Sequence, residues 1–435
     1  MLRFDKHIVN RSASWAVLVY ATTVLVLVLP ATDIYLNGLA SSTTVARLAG
    51  YSGSLGLCSM FLGVALWDVM RTDGVRMLSI YSSVGYIIIP FGLTVVLALA
   101  FQLDPTAYRG QYGGSTLLIF WPFINLLIML FAVSIAAIPA VVRHFRYIFI
   151  LSLTVLTFGV LWDFFSPGDL SVVPGRAAGF ASNPNITASL LLTMLIVSVD
   201  WKKPSFSNVA IWLVAGAAIL PTFSREGLLL YVFTLGAYVV LTVRTRAKAL
   251  LHALLLYGVL AILFASFFGS GSISLTHVLG SDTALSSYEA QERLKDYEAL
   301  LGGDFTSILE DDRVEVGNEF MSIIAQSPIL GHGTAFSLGY PGGQGPHNLY
   351  LRQWTDNGVL GLMLLLVFLF ASFLHFAKYK DVRGMIFVAV FCLLGFFSHD
   401  LLEQRPFLVM FGFLGALAYV ERLEPLLSRS SLPRP

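Results

Sequence analysis

The chain has 435 residues, of which 56% are hydrophobic and only 12% charged, and its formal net charge at pH 7 is +1. A soluble domain carries about twice that share of charged residues, so this chain cannot clothe a water-facing surface of its size and must present much of itself to lipid. The near balance of charge excludes a nucleic-acid partner, which would demand a basic face. The two cysteines, Cys58 and Cys392, each sit inside an apolar run, which excludes a disulfide scaffold and a clustered thiolate metal site.

The chain opens with Arg3, Lys6 and Arg11 ahead of an apolar run over 15–29, the outline of a signal peptide. Asp33, Tyr35 and Asn37 follow it, without a small-residue cleavage site, so the run reads as a retained first helix. A helix needs about 20 apolar residues to cross a hydrocarbon core of roughly 30 Å. Candidate spans fall at 15–36, 48–69, 77–101, 116–141, 146–165, 186–200, 208–223, 227–243, 249–268, 358–377, 384–398 and 406–420. The expectation is an all-α, polytopic integral membrane protein with about 12 transmembrane helices. The short spans 186–200 and 384–398 must tilt little or be shielded by their neighbours.

Basic residues orient these spans. With the N-terminus inside, the inner segments hold 18 of the 27 Lys and Arg residues, among them Arg143, Arg146, Lys202, Lys203, Lys378, Lys380, Arg383 and Arg422. The outer segments hold the other nine although they include the longest loop. That is the positive-inside pattern, and with an even span count it puts both termini on the cytoplasmic side of the membrane.

Three regions follow: a transmembrane bundle over 1–268, a periplasmic loop over 269–357, and C-terminal helices with a cytoplasmic tail over 358–435. The loop is too long for a plain connection. Ser286 and Glu289 read as a capping box opening a helix through Leu300, and a second helix is expected from Asp311 to Gln326. In that second helix Arg313, Gly317, Phe320 and Ile324 share one face. Ser327-Pro328 stops it, and a glycine-rich loop follows. The acidic run Glu310-Asp311-Asp312 at its start reads as a dipole partner rather than a metal site.

Several outward arginines sit close to the membrane. Arg176 lies between spans five and six, in a run ending Asn183-Pro-Asn185; Arg225 occupies the tight turn Ser224-Arg-Glu-Gly227; Arg313 opens the second loop helix; Arg352 follows Pro346-His-Asn-Leu-Tyr350. A charge at that depth is costly unless it is paired or lines a cavity. Such arginines either converge on a pyrophosphate through charge-assisted bonds, or each snorkels to headgroups or pairs with a local acid such as Glu226 or Asp312. His347, just before an interfacial helix expected to lead into span ten, is the best candidate for a general base, since imidazole accepts a proton near neutral pH, with Asn348 beside it to orient substrate or ring; the plainer reading makes it a cap of that helix or a local hydrogen-bonding residue. His332 in Gly-His-Gly reads as structural, and His399, beside Asp400, as a lesser candidate for the same cavity. The chain has no Walker loop, metalloprotease motif or serine elbow.

Taken in order, these pieces resemble the O-antigen ligase and Wzy O-antigen polymerase superfamily of membrane glycosyltransferases. The strongest likeness spans Asp312 to Leu362: an arginine, an amphipathic helix, Ser-Pro-Ile-Leu-Gly-His-Gly, a loop, then His347-Asn-Leu-Tyr-Leu-Arg and Asn-Gly-Val-Leu-Gly-Leu. Asn183-Pro-Asn and the Ser224-Arg-x-Gly turn match upstream, and one large loop before the third-last span fits too. Where many relatives carry Glu-x-Gly, this chain has Asp356-Asn-Gly. The resemblance implies an undecaprenyl-pyrophosphate-linked glycan as donor, a glycan or lipid A-core as acceptor, and inverting transfer without metal or other cofactor. It implies catalytic roles for His347, Arg225 and Arg313, with Arg176, Asn185, Asn348 and Arg352 as substrate-binding candidates. The competing class is a multi-span transporter or flippase of a lipid-linked or anionic substrate. Transporters often repeat their halves and break helices near the midplane, and neither feature is evident in this sequence.

Overall fold

A computed structural model describes residues 63, 67, 70, 74–98, 117–166, 175–181, 183–202, 205–243, 258, 312–334, 336–338, 340, 345–402 and 404–430. All regular structure among these residues is helical. In chain order the helices are α1 (Gly74–Ala98), α2 (Leu117–Ile135), α3 (Pro139–Phe165), α4 (Pro184–Ser198), α5 (Phe206–Ile219), α6 (Arg225–Val243), α7 (Asp312–Gln326), α8 (Leu349–Tyr379), α9 (Val382–Leu394) and α10 (Arg405–Ser430).

Four helices are long and apolar enough to cross a membrane: α1, α3 from Val141, α6 to Thr242, and α8. Shorter apolar helices cover Asn125–Ile135, Pro184–Ser198, Phe206–Thr222 and Val382–Leu394. Four full-length candidates therefore stand among the described residues, where about 12 spans are expected for the whole chain. The expected spans 15–36, 48–69 and 249–268 and the loop helix from Ser286 to Leu300 lie wholly or almost wholly outside those residues, as do Glu310 and Asp311.

Two boundaries differ from the expectation for clear reasons. The expected span 116–141 ends early, at Ile135, and a turn at Ala136–Ala137 leads to Pro139 in the first turn of α3. Proline has no N–H to donate and suits that position, so Arg143 and Arg146 lie within α3 rather than in a loop. Likewise the expected span 358–377 has no separate start: the interfacial helix expected after His347 runs into it across Gly358, and Asn348 caps the joined helix at Leu349.

One apolar core joins α1–α6 and α8–α10, with Ile87, Met129, Phe149, Leu191, Trp212, Leu230, Phe376, Phe391 and Phe411 all buried. At its centre stands α4, whose residues from Thr187 to Ser198 are buried on every side. A helix apolar all round belongs inside a bundle. At 15 residues it is about 22 Å long, short for a lipid-exposed span and sufficient for one shielded by α3, α5 and α6, which pack on it. The outer faces are apolar too: Ile89 and Val96 on α1, Leu151 and Phe158 on α3, Val232 and Val240 on α6, and Met363 and Phe370 on α8 are all exposed. Exposed apolar area on this scale fits a lipid boundary.

Outside the bundle core, α7 buries Phe320 and Ile323 against Phe336 of the short 3-10 turn Phe336–Leu338. Of the face expected on this helix, Phe320 and Ile324 are buried. The segment after α7 then locks onto a break in α8. Gly358 has φ 65° and ψ −170°, a backbone region that is essentially glycine's alone. The break deprives Thr355 and Asp356 of their usual helical donors. Their carbonyls instead accept from the N–H groups of His332 (2.8 Å) and Gly333 (2.9 Å), while the Val359 N–H donates to Pro328 O (2.9 Å). Asp356 Oδ1 also accepts from the Ser337 N–H at 2.8 Å, and His332 Nε2 meets Ile323 O at 2.9 Å. His332 and Asp356 are thus joints of the loop, as expected for His332.

Candidate active site

A polar cavity of about 150 Å³ opens where several helices begin, and Asn183, Asn185, Ser189, Glu226, His347, His399, Asp400 and Gln404 are among its lining residues. Asn183 caps α4, its Oδ1 accepting from the Asn185 N–H at 2.9 Å. Ser224 caps α6, with Oγ accepting from the Gly227 N–H at 3.2 Å, and Glu226 stands in that helix's first turn. Asn348 caps α8, accepting from the N–H groups of Tyr350 (2.9 Å) and Leu351 (3.1 Å), and His347 directly precedes it. Gln404 directly precedes α10. The cavity therefore collects the starts of four helices, each the equivalent of about half a positive charge, an arrangement suited to an anion.

Local sequence explains this convergence. A Cβ at Gly227 would fall 2.5 Å from Ala188 Cβ, so only glycine lets α6 start so close to α4. Arg176 is buried and bridges two of the starts, its Nε donating to Thr222 O (3.1 Å) and its Nη2 to Asn185 Oδ1 (2.5 Å). The first turn of α8 is pinned to the far end of α9 by three bonds: Leu349 N–H to Gly395 O (2.7 Å), Tyr350 O–H to Cys392 O (2.7 Å) and Arg352 Nη1 to His399 O (3.1 Å). Arg352 also lies 3.6 Å from Asp356, which joins the cavity wall to the locked loop. His347 itself has φ 45°, a conformation that is uncommon outside glycine, and its ring meets that of His399 edge-on at 5.4 Å.

The candidates from the sequence divide accordingly. Asn185 and His347 line one cavity. Arg176 stands behind Asn185, Arg352 holds the backbone of His399, and Asn348 spends its side-chain oxygen on the cap. Arg225 is half-buried at the start of α6, one residue before the lining residue Glu226. Arg313 lies in the first turn of α7, with its side chain outside what the structure describes. Glu226 and Gln404 were missed as lining residues. An acid in the first turn of an apolar helix was the available signal for Glu226, which had been read only as a partner for Arg225.

The helical bundle, its lipid-facing rim and a polar cavity at one end define an all-α membrane protein with a candidate active site. Residues 209–366 match the family model described as O-antigen ligase, which supports placing the chain in the O-antigen ligase and Wzy superfamily. That stretch contains the Ser224–Gly227 turn, Arg313, the segment locked on α8 and His347, and ends before the His399–Gln404 part of the wall. No curated protein matches the chain.

Proposed function

We propose that the protein is a membrane glycosyltransferase that moves an undecaprenyl-pyrophosphate-linked glycan onto an acceptor hydroxyl at the periplasmic face of the inner membrane, as an O-antigen ligase or an O-antigen or exopolysaccharide polymerase. The observation that carries this reading is the meeting of four helix starts around a cavity walled by His347; His347 and the starts of α6 and α8 lie in the stretch that matches the O-antigen ligase model, and those of α4 and α10 lie outside it. Four positive helix ends, with Arg225 at one of them, suit a doubly charged leaving group.

In this mechanism the acceptor oxygen attacks the anomeric carbon from the face opposite the pyrophosphate. The acceptor proton passes to His347, the bond between carbon and phosphate oxygen breaks, and the pyrophosphate leaves with the electron pair, so the anomeric configuration inverts. Pyrophosphate is already a good leaving group, and the protein's task is to position the alcohol and screen charge. Arg225 and Arg313 neutralise the departing oxygens. Asn185 touches substrate, and Arg176, Arg352 and Asn348 position the wall through their bonds to Asn185, His399 and the α8 amides. No metal ion takes part, and the N- and C-termini are cytoplasmic.

The test is transfer in reconstituted vesicles from a lipid-pyrophosphate repeat unit, with chelator present, comparing wild type with His347→Asn. Asparagine tolerates the left-handed backbone at this position better than alanine, so the variant removes the base without adding strain. Growth of lipid-linked chains, or transfer to an added lipid A-core acceptor, that the variant loses is the expected result. Full activity in the variant, or no transfer to any acceptor by wild type, overturns the reading and returns the transporter class.

A further inference from the structure

A second cavity lies at the other end of α4. It has a volume of about 570 Å³ and is walled by the start of α3, the end of α4, the α8–α9 turn and the last turns of α10. Its residues come from segments that the positive-inside pattern assigns to the cytoplasmic side.

Charge in this cavity is divided. Arg383 is consumed by acids, with Nε 2.9 Å from Asp381 Oδ1 and its other nitrogens on Glu421 at 3.2 and 2.7 Å. Arg146 donates to Ser198 O (2.6 Å) and Asn208 Oδ1 (2.7 Å), with Asp200 at 3.8 Å. Three further cations, Lys202, Lys380 and Arg422, line the cavity from exposed positions. Deep in the wall the opposite need appears. Asp381 is only 7% exposed, and its Oδ2 has no hydrogen-bond donor among the described residues. A buried carboxylate oxygen without a donor costs free energy, and Asp381 is among the residues that line a space large enough for a headgroup.

We propose that this cavity binds the headgroup of an aminophospholipid from the adjacent leaflet: the phosphate at the exposed cations, the ammonium donating to Asp381 Oδ2. The remaining wall, with Phe145, Trp201 and Tyr379, is aromatic and apolar, which suits the glycerol region at interfacial depth. A phosphate alone leaves Asp381 unsatisfied, and a choline headgroup, with no N–H, cannot donate to it. The cavity draws on α3, α4, α8, α9 and α10, so an occupied site ties together the ends of four helices, α4, α8, α9 and α10, whose other ends meet at the proposed transfer site.

The test measures thermal stabilisation of the purified full chain in detergent by phosphatidylethanolamine, phosphatidylcholine and soluble phosphoethanolamine. One charge-assisted hydrogen bond predicts about tenfold tighter apparent binding of the ethanolamine lipid than of the choline lipid. Asp381→Asn keeps an oxygen for the α9 cap and the Arg383 contact, and it should erase that difference. The exposed pair Lys202→Gln with Arg422→Gln, which spares the folded core, should weaken both lipids. Equal binding of the two lipids by wild type, or a preference that survives Asp381→Asn, overturns the proposal. Stabilisation by soluble phosphoethanolamine equal to that by the lipid replaces the lipid with a small phosphorylated amine and overturns it too.

Discussion

Replacing Gly358 by alanine tests the lock between the Pro328–Gly333 segment and α8. A Cβ there would lie 2.0 Å from Ile329 O and 2.4 Å from Ile329 C, contacts that only movement of the loop backbone can relieve. The left-handed backbone adds about 1–3 kcal/mol of strain for any residue with a side chain. Moving the loop releases three bonds, those of His332, Gly333 and Val359, each worth about 1 kcal/mol net. The sum is roughly 4–6 kcal/mol against the docked state. Hydrogen exchange read by mass spectrometry should show the amides of His332, Gly333 and Val359 losing protection by roughly a thousandfold. Gly317→Ala is the matched control: its Cβ would meet nothing within 4 Å, and alanine is the better helix former, so protection should hold. Unchanged protection in Gly358→Ala refutes the lock.

Three further outcomes follow from the same geometry. Arg176→Lys replaces a fork that reaches both Thr222 O and Asn185 Oδ1 with a single point charge; one buried acceptor loses its donor, and the melting midpoint and the transfer rate should both fall, the rate by about tenfold. Glu226→Gln removes a charge from the cavity lining while keeping the side chain's volume, so the transfer rate in the vesicle assay should change. For sidedness, Glu315→Cys on α7 and Lys202→Cys after α4, both exposed, should react with an impermeant thiol reagent from opposite faces of oriented vesicles; labelling from one face would break the inside–outside assignment.

Much of the fold was legible because apolar length and punctuation act locally. The stop at Ser327-Pro328 and the body of the helix expected from Asp311 to Gln326 stand where the sequence places them, whereas the expected turn Ser224-Arg-Glu-Gly is the cap and first turn of α6. The helix after His347 and the span from Gly358 are both legible in the sequence as separate elements; what is not legible is that they form one kinked helix of 31 residues, because the loop bonded across Gly358 comes from another part of the chain. Pro139 was passed over because hydropathy runs unbroken through it. In the site, residue types pointed to His347 and Asn185, whereas the work of Arg176 and Arg352 depends on partners 46 and 47 positions away, which no spacing reveals. The twelve-span count and the loop's first helix rest on stretches beyond the described residues.

The arrangement around His347 has a physical logic of its own. The base that we propose His347 to be must be held close to its working geometry, and side chains on a free loop are not so held. Here the loop ends at a residue with φ 45°, immediately followed by a doubly engaged cap and three bonds from α8 to the α9 end. Strain of this kind persists only where its surroundings over-determine it, and those surroundings are the lock at Gly358 on one side and the Arg352–His399 contact on the other. Asp356 belongs to both, bonding Ser337 in the loop and lying beside Arg352. Loosening the lock, as in Gly358→Ala, should therefore slow transfer even though Gly358 touches no part of the cavity, and the loss should appear in the chemical step rather than in donor binding.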